Sequence, residues 1–297
     1  MTLEEFIRNV DFDSYYEKSP KERLELAQQY ENVIAELEHR SPCIVKTFSE
    51  SVAEARPGLR GYFSSTDNAI YLRPDFFTSR KPKIIGLSKF GMAEMLATLT
   101  HEGRHAWQHY VIDHPELDIV DKKTRLSIGM NFGKGYRNGN GNERAFAEYV
   151  AQLIEIDARH FSKAWIDYLA ERFTEKGGRG YAELCAASRK LSTEEQINAQ
   201  YISEHFDAAK MMKFEEKLKK QIYPGIDTTG ITIFGDAFRL KDTGNIMEFI
   251  DCRPVDFRID ALKVKVDEEL LGIMPARPDY LEYKPDPFRI KIDKTHI

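Results

Sequence analysis

Cysteine is scarce in this chain. Three occur among 297 residues, Cys43, Cys185 and Cys252, odd in number and far apart. That excludes a disulfide-stapled scaffold and fits reduced thiols in a cytoplasmic protein. No run of about 18 apolar residues occurs, which excludes a transmembrane helix. The opening MTLEEFIRNV is acidic and lacks the apolar stretch of a signal peptide. The expected location is therefore the cytoplasm, with export by a route that uses no N-terminal signal left open. Positive charge is also not in excess, with 43 Lys and Arg against 48 Asp and Glu and a net charge of -5. Phosphate backbones need a basic surface, so neither nucleic acid nor membrane is expected as a partner. What remains is 42% hydrophobic and 31% charged residues, the profile of one large or two ordinary globular domains.

Ser19-Pro20-Lys21-Glu22 has the form of a capping box with proline at the first helical position. Leu24, Ala27, Tyr30, Ile34 and Leu37 follow at helical spacing, predicting a long amphipathic helix. Gly61–Phe63 and Ala69–Leu72, on either side of a polar turn, predict a β-hairpin. Residues 91–113 are apolar around most of the circumference, predicting a helix buried in the middle of a domain and ended by Pro115. The segment 129–142, GMNFGKGYRNGNGN, reads as a loop. A continuous helix is expected over 142–173, stopped by Gly177-Gly178, with further helices around 180–190 and 193–223 and a Pro- and Asp-rich tail. No internal repeat is present. The expected class is α+β, predominantly helical. Three parts are expected: an N-terminal helical segment 1–45, a core 46–190, and a helical and irregular region 191–297 packed on it.

Chemistry concentrates in THEGRH, residues 100–105. On a helix, His101 and His105 at i and i+4 project from one face and can share one zinc ion at about 2.0–2.1 Å. Glu102, beside the first ligand, can reach water at that ion without binding it, the logic of the H-E-x-x-H signature. His109, two turns from His101, lies about 12 Å away along the axis and is expected to pack or hydrogen-bond instead. His39 and His114 read as surface residues. A catalytic zinc needs a third protein ligand and an open position. The helix 142–173 offers Glu143, Glu148, Glu155, Asp157 and His160. Glu148 and Glu155 share a face of a continuous helix but stand about 10 Å apart along it, so only one can bind. Tyr149, His160, Tyr168 and Arg104 are the candidates to stabilise an oxyanion, with Arg104 turned from the ligand face toward a structural ion pair. Trp107-Gln108 has no expected role beyond packing.

HEGRHAWQ within Met95–Gln108, together with Glu155-Ile156-Asp157-Ala158, resembles the two halves of a small gluzincin site, as in zincin-like peptidases of the ImmA/IrrE group. The resemblance covers about residues 59–165. It implies a zincin-like core with a small β-sheet packed over the metal-binding helix. It also implies Zn2+ held by His101, His105 and Glu155, with Glu102 as general base. The substrate would be a peptide or protein, aligned by the strand Ala69–Leu72 as an exposed edge. Many gluzincins place an aspartate four residues after the ligand glutamate to orient a zinc histidine; here that position is Arg159. Asp157 is expected to take that task from another angle or to be the ligand itself, with Glu148 the further alternative. The expected function is a zinc metallopeptidase. The alternative is a non-enzymatic, zinc-stabilised interaction module with a degenerate peptidase fold.

Overall fold

The computed structural model describes residues 1–81, 90–117, 119–174, 176–235 and 237–238. Cys252 and the tail beyond residue 238 lie outside the described residues. The chain is α+β and mostly helical. In order it runs α1 (Leu3–Asn9), α2 (Phe12–Tyr15), α3 (Pro20–Leu37), β1 (Ile44–Thr47), α4 (Glu50–Ala55), β2 (Gly61–Ser64), β3 (Ala69–Leu72), α5 (Asp75–Thr78) and α6 (Met92–Asp113). It continues with α7 (Lys122–Met130), a π-helical turn (Asn131–Gly135), α8 (Glu143–Val150), α9 (Leu153–Arg172), α10 (Gly178–His205) and α11 (Ala208–Ile222).

The Ser19 capping box forms as expected: Ser19 accepts from the Glu22 N–H, and Glu22 accepts from the Ser19 N–H at 2.8 Å. α3 lays Ala27, Tyr30, Val33, Ile34 and Leu37 into the first core, which draws on residues from Leu3 to Ala187. The segment before residue 45 and the one after it therefore share one core, and β1 spans that boundary. α6 is buried along nearly its whole length, packed against α9, α3 and α10. Buried Trp107 and Val111 meet Ile128, Leu153 and Ile154 in a second apolar cluster below the motif.

The hairpin forms, but its setting corrects one expectation. β3 is the central strand of three, in the order β1-β3-β2, parallel to β1 and antiparallel to β2. Both hydrogen-bonding edges of Ala69–Leu72 are occupied, so that strand is no exposed edge. The edge strand beside α6 is β2. Its approach is close: a Cβ on Gly61 would stand 2.9 Å from Thr98 Cγ2 of α6, so only glycine lets the strand lie this near.

Three further boundaries differ from the expectation. Residues 129–132 continue the helical path of α7, Gly133 leaves it with φ -87° and ψ -131° inside the π-helical turn, and 136–142 form the loop. The helix expected over 142–173 breaks at Ala151-Gln152. Gln152 is buried there, and its amide is consumed by the loop: its oxygen accepts from Arg137 N–H at 2.8 Å and its nitrogen donates to Arg137 C=O at 2.9 Å. Finally, α10 runs unbroken to His205, and the break before α11 falls at Phe206-Asp207 rather than near residue 192.

Candidate metal centre

α6 carries THEGRH in its middle, and α9 crosses it with Glu155 in its first turn. His101 Nε2 and His105 Nε2 stand 3.2 Å apart. Glu155 offers one oxygen to each, Oε2 at 3.7 Å from His101 Nε2 and Oε1 at 3.7 Å from His105 Nε2. Taken with one oxygen of Glu155, the three ligand atoms lie within 4.8 Å of one another, close enough to hold one metal ion between them. Among the described residues this is the one group of three His, Cys, Asp or Glu side chains with ligand atoms mutually within 4.8 Å. His101 keeps 21% of its side chain exposed while Glu155 keeps 4%, so solvent reaches the cluster from the His101 side.

The electrostatics describe a cation site. Burial works against the His105 imidazolium, but the Glu155 carboxylate outweighs it and pushes the pKa up to about 9. Burial likewise opposes the Glu155 anion, and the two imidazoles overcome it, holding the carboxyl well below its usual range. With no ion, a proton supplies the positive charge that this carboxylate demands.

Glu102 lies on the β2 side of the cluster and is buried. Its Oε2 accepts the main-chain N–H of Phe63 at 3.0 Å, which ties the expected general base to the edge strand. Because Phe63 directs its N–H away from β3, its carbonyl also faces outward along that edge. Beside it, the rings of Phe63, His109 and Phe132 meet edge to face, at 6.0 Å for Phe63–His109 and 5.6 Å for His109–Phe132. His109 Nδ1 pairs with Asp113 Oδ2 at 3.0 Å, the packing and hydrogen-bonding role its i+8 position implied.

The other predicted residues are distributed differently. Asp157 is not among the clustered donors: its two oxygens accept from Arg104 Nε at 2.8 Å and Nη2 at 3.2 Å. Arg104 has no exposed surface and makes the structural ion pair expected of it, sandwiched over Trp107 at 3.6 Å and Phe161 at 4.6 Å. Glu148, separated from Glu155 by the helix break, pairs with Arg144 at 3.2 Å. The shared face expected of the two glutamates does not exist, because they stand on two helices. His160 turns to α10, with Nε2 3.4 Å from Glu195 Oε1. Tyr168 packs on Trp165 in the first core. His39 and His114 are exposed or nearly so.

Tyr149 is close enough to feel the Glu155 charge. Burial, then the Glu155 carboxylate, raise its hydroxyl pKa well above the ordinary value. Tyr136, which the sequence reading passed over, lies in the loop and meets Tyr149 edge to face at 6.5 Å. The residue is 45% exposed overall, yet desolvation of the hydroxyl and the charges of Glu155 and Glu102 raise its pKa as well. Both phenols therefore keep their protons near neutral pH.

Gln108, expected only to pack, does more, for it shares the His105 face at i+3. Its Oε1 lies 2.9 Å from His105 Nδ1, and its Nε2 donates to Ile154 C=O at 3.0 Å and Asp157 Oδ2 at 2.6 Å.

Comparison of the chain with protein families, with curated proteins and with solved structures finds no match in any of the three. No helix among the described residues is long and apolar enough to cross a membrane.

Proposed function

We propose that the chain is a zinc-dependent metallopeptidase with a zincin-like core, in which His101, His105 and Glu155 hold Zn2+ and Glu102 is the general base. The observation that carries this reading is the convergence of one carboxylate and two imidazoles, their ligand atoms within 4.8 Å of one another, with a second carboxylate next to the first histidine. Zinc bound there would supply Lewis acidity, polarising a peptide carbonyl and making water acidic near neutral pH. Glu102 would take the proton of the attacking water and pass it to the departing amine nitrogen. Tyr149 and Tyr136 stay protonated and can donate to developing negative charge beside Glu155. The Phe63 N–H is taken by Glu102, so the edge of β2 would offer the outward Phe63 C=O to an extended peptide, and the Phe63, His109 and Phe132 rings give an apolar wall beside it.

One observation favours the second reading, a non-enzymatic metal-stabilised module. Glu102 already has a structural partner in Phe63, so its presence is not explained by catalysis alone. Zinc content and peptide cleavage measured together in wild type and Glu102→Ala separate the two. The peptidase reading expects one zinc in each protein, turnover in wild type, and a loss of about 10²–10⁴-fold in the variant. Zinc without turnover in wild type against a broad peptide library would favour the module.

A further inference from the structure

The two inner residues of the motif, Gly103 and Arg104, together with Gln108, are not accounted for by metal ligation or base catalysis. They lie on a continuous buried hydrogen-bond chain. Gln108 has no exposed surface, and its amide has one allowed orientation. Ile154 C=O and the Asp157 carboxylate are acceptors only, and both face the same Gln108 atom, so that atom is the NH2. The amide oxygen must then face His105 Nδ1. An oxygen can only accept, so Nδ1 carries a proton, and Nε2 of the neutral ring is left with its lone pair toward His101 and Glu155. Asp157 is fixed in turn by the Arg104 guanidinium, whose Nη1 reaches Glu38 Oε1 at 3.5 Å. Glu38 accepts from Arg40 Nε at 2.8 Å, and Arg40 Nη1 donates to Glu31 at 2.6 Å. The chain thus passes from α3, beneath the motif, to one imidazole. Gly103 fits the same design: a Cβ there would stand 3.0 Å from Arg40 Nη2 and 3.4 Å from Glu31 Oε2.

We infer that Gln108 is the positioning residue for His105, locking the tautomer that presents Nε2 to a cation, and that Asp157, Arg104 and Glu38 hold the amide in the one orientation that does so. This rests on the zinc reading above, but its geometry belongs to the chain alone. Outer partners of metal-binding histidines set ring orientation and basicity, and their loss typically costs 10–100-fold in metal affinity. The position four residues after Glu155, where the resembled sites carry an orienting aspartate, is Arg159, bonded to Glu195 and the Val150 carbonyl instead. Gln108 supplies the missing orientation from the zinc helix itself.

The test uses the full chain, titrated with Zn2+ against a competing chelator, as wild type, Gln108→Met and Gln108→Glu. Imidazole ¹⁵N spectra of the zinc-loaded proteins are recorded alongside. Expected are Nε2 coordination and a protected Nδ1 proton for His105 in wild type, and a 10–100-fold weaker affinity and loss of that protection in Gln108→Met. Gln108→Glu keeps an acceptor for Nδ1 and so should keep the protected proton, while its other oxygen, facing Asp157 and the Ile154 C=O, loses the amide's anchor and leaves the affinity below wild type. His101 signals should not move. Wild-type affinity with an unchanged Nδ1 proton in Gln108→Met would overturn the inference. So would Nδ1 coordination of His105 in wild type, a reading that needs no variant to fold. Should wild type take up no zinc, the peptidase reading fails by itself. The spectrum of the metal-free protein, at a pH that leaves the ring neutral, then still decides this one: Nδ1–H in wild type supports it, and Nε2–H overturns it.

Discussion

The main-chain N–H of Phe63 donates to Glu102 Oε2 at 3.0 Å, joining the edge of β2 to the carboxylate expected to act as base. An edge strand leaves alternate N–H and C=O groups unpaired, and here the carboxylate satisfies one of them. In the peptidase reading, an extended peptide added to β2 would lie beside that carboxylate.

That geometry predicts the effect of removing one proton donor. Phe63→Pro deletes the outward N–H, whereas Phe63→Ala deletes only the ring. If this N–H holds the base in place, peptide turnover in Phe63→Pro should fall at least tenfold below Phe63→Ala, with zinc content equal in the two. Equal turnover would remove the Phe63 N–H as the anchor of Glu102. Substitution in β3, the central strand, tests folding and not docking.

Zinc binding should depend on pH in a direction set by His105. Its pKa in the metal-free fold is pushed up to about 9 from an ordinary 6.5, burial opposing the shift and Glu155 overcoming it. A raised pKa means that the proton stabilises the metal-free fold fully below about 6.5, and that this contribution is lost as pH rises through about 9. Zinc must displace that proton, so its apparent affinity should rise between about 6.5 and 9, by up to about tenfold per pH unit, and level off above. Isothermal titration in buffers of different ionisation enthalpy should find about one proton released per zinc near pH 7.5 from this residue. An affinity flat across that window would contradict the assignment.

Breaking the buried ionic chain should be costly. Arg104→Met keeps the stem volume between Trp107 and Phe161 but leaves Asp157 without its guanidinium, at a cost of about 3–5 kcal/mol in denaturant unfolding. A loss under about 1 kcal/mol would mean that the pair is not held as described.

Gly103→Ala tests the same region from the other side. Alanine in a helix interior gains about 1 kcal/mol over glycine, while overpacking costs about 1–3 kcal/mol. Arg40 is pinned by Glu31 and Glu38 and cannot easily yield, so a net loss of about 1 kcal/mol is expected in chemical denaturation. A stabilised variant would show that the guanidinium has room.

Parts of this arrangement were legible in the sequence because they are local. The i, i+4 spacing of His101 and His105 depends only on helical period, and the Ser19 capping box on four consecutive residues. The hairpin was legible too, but not which of its strands is the edge: β1 arrives in parallel from more than 20 residues upstream and covers β3. The break at Ala151-Gln152 carries no glycine or proline. It comes from Gln152 pairing with the Arg137 backbone, a tertiary contact that overrides helix propensity. Gln108 was invisible for a chemical reason, since an amide is not a metal ligand and its importance lies in what it bonds. Asp157 and Glu155 could not be ranked by spacing alone, because only the crossing of α6 and α9 decides which carboxylate faces the histidines.

The most direct measurement is zinc per chain, paired with metal-edge anomalous scattering from crystals of the zinc-loaded protein. One zinc is predicted, bonded to His101 Nε2, His105 Nε2 and a Glu155 oxygen, and it should be lost in Glu155→Ala while kept in Glu102→Ala. No zinc, or an ion bound elsewhere with these three side chains empty, would contradict the account.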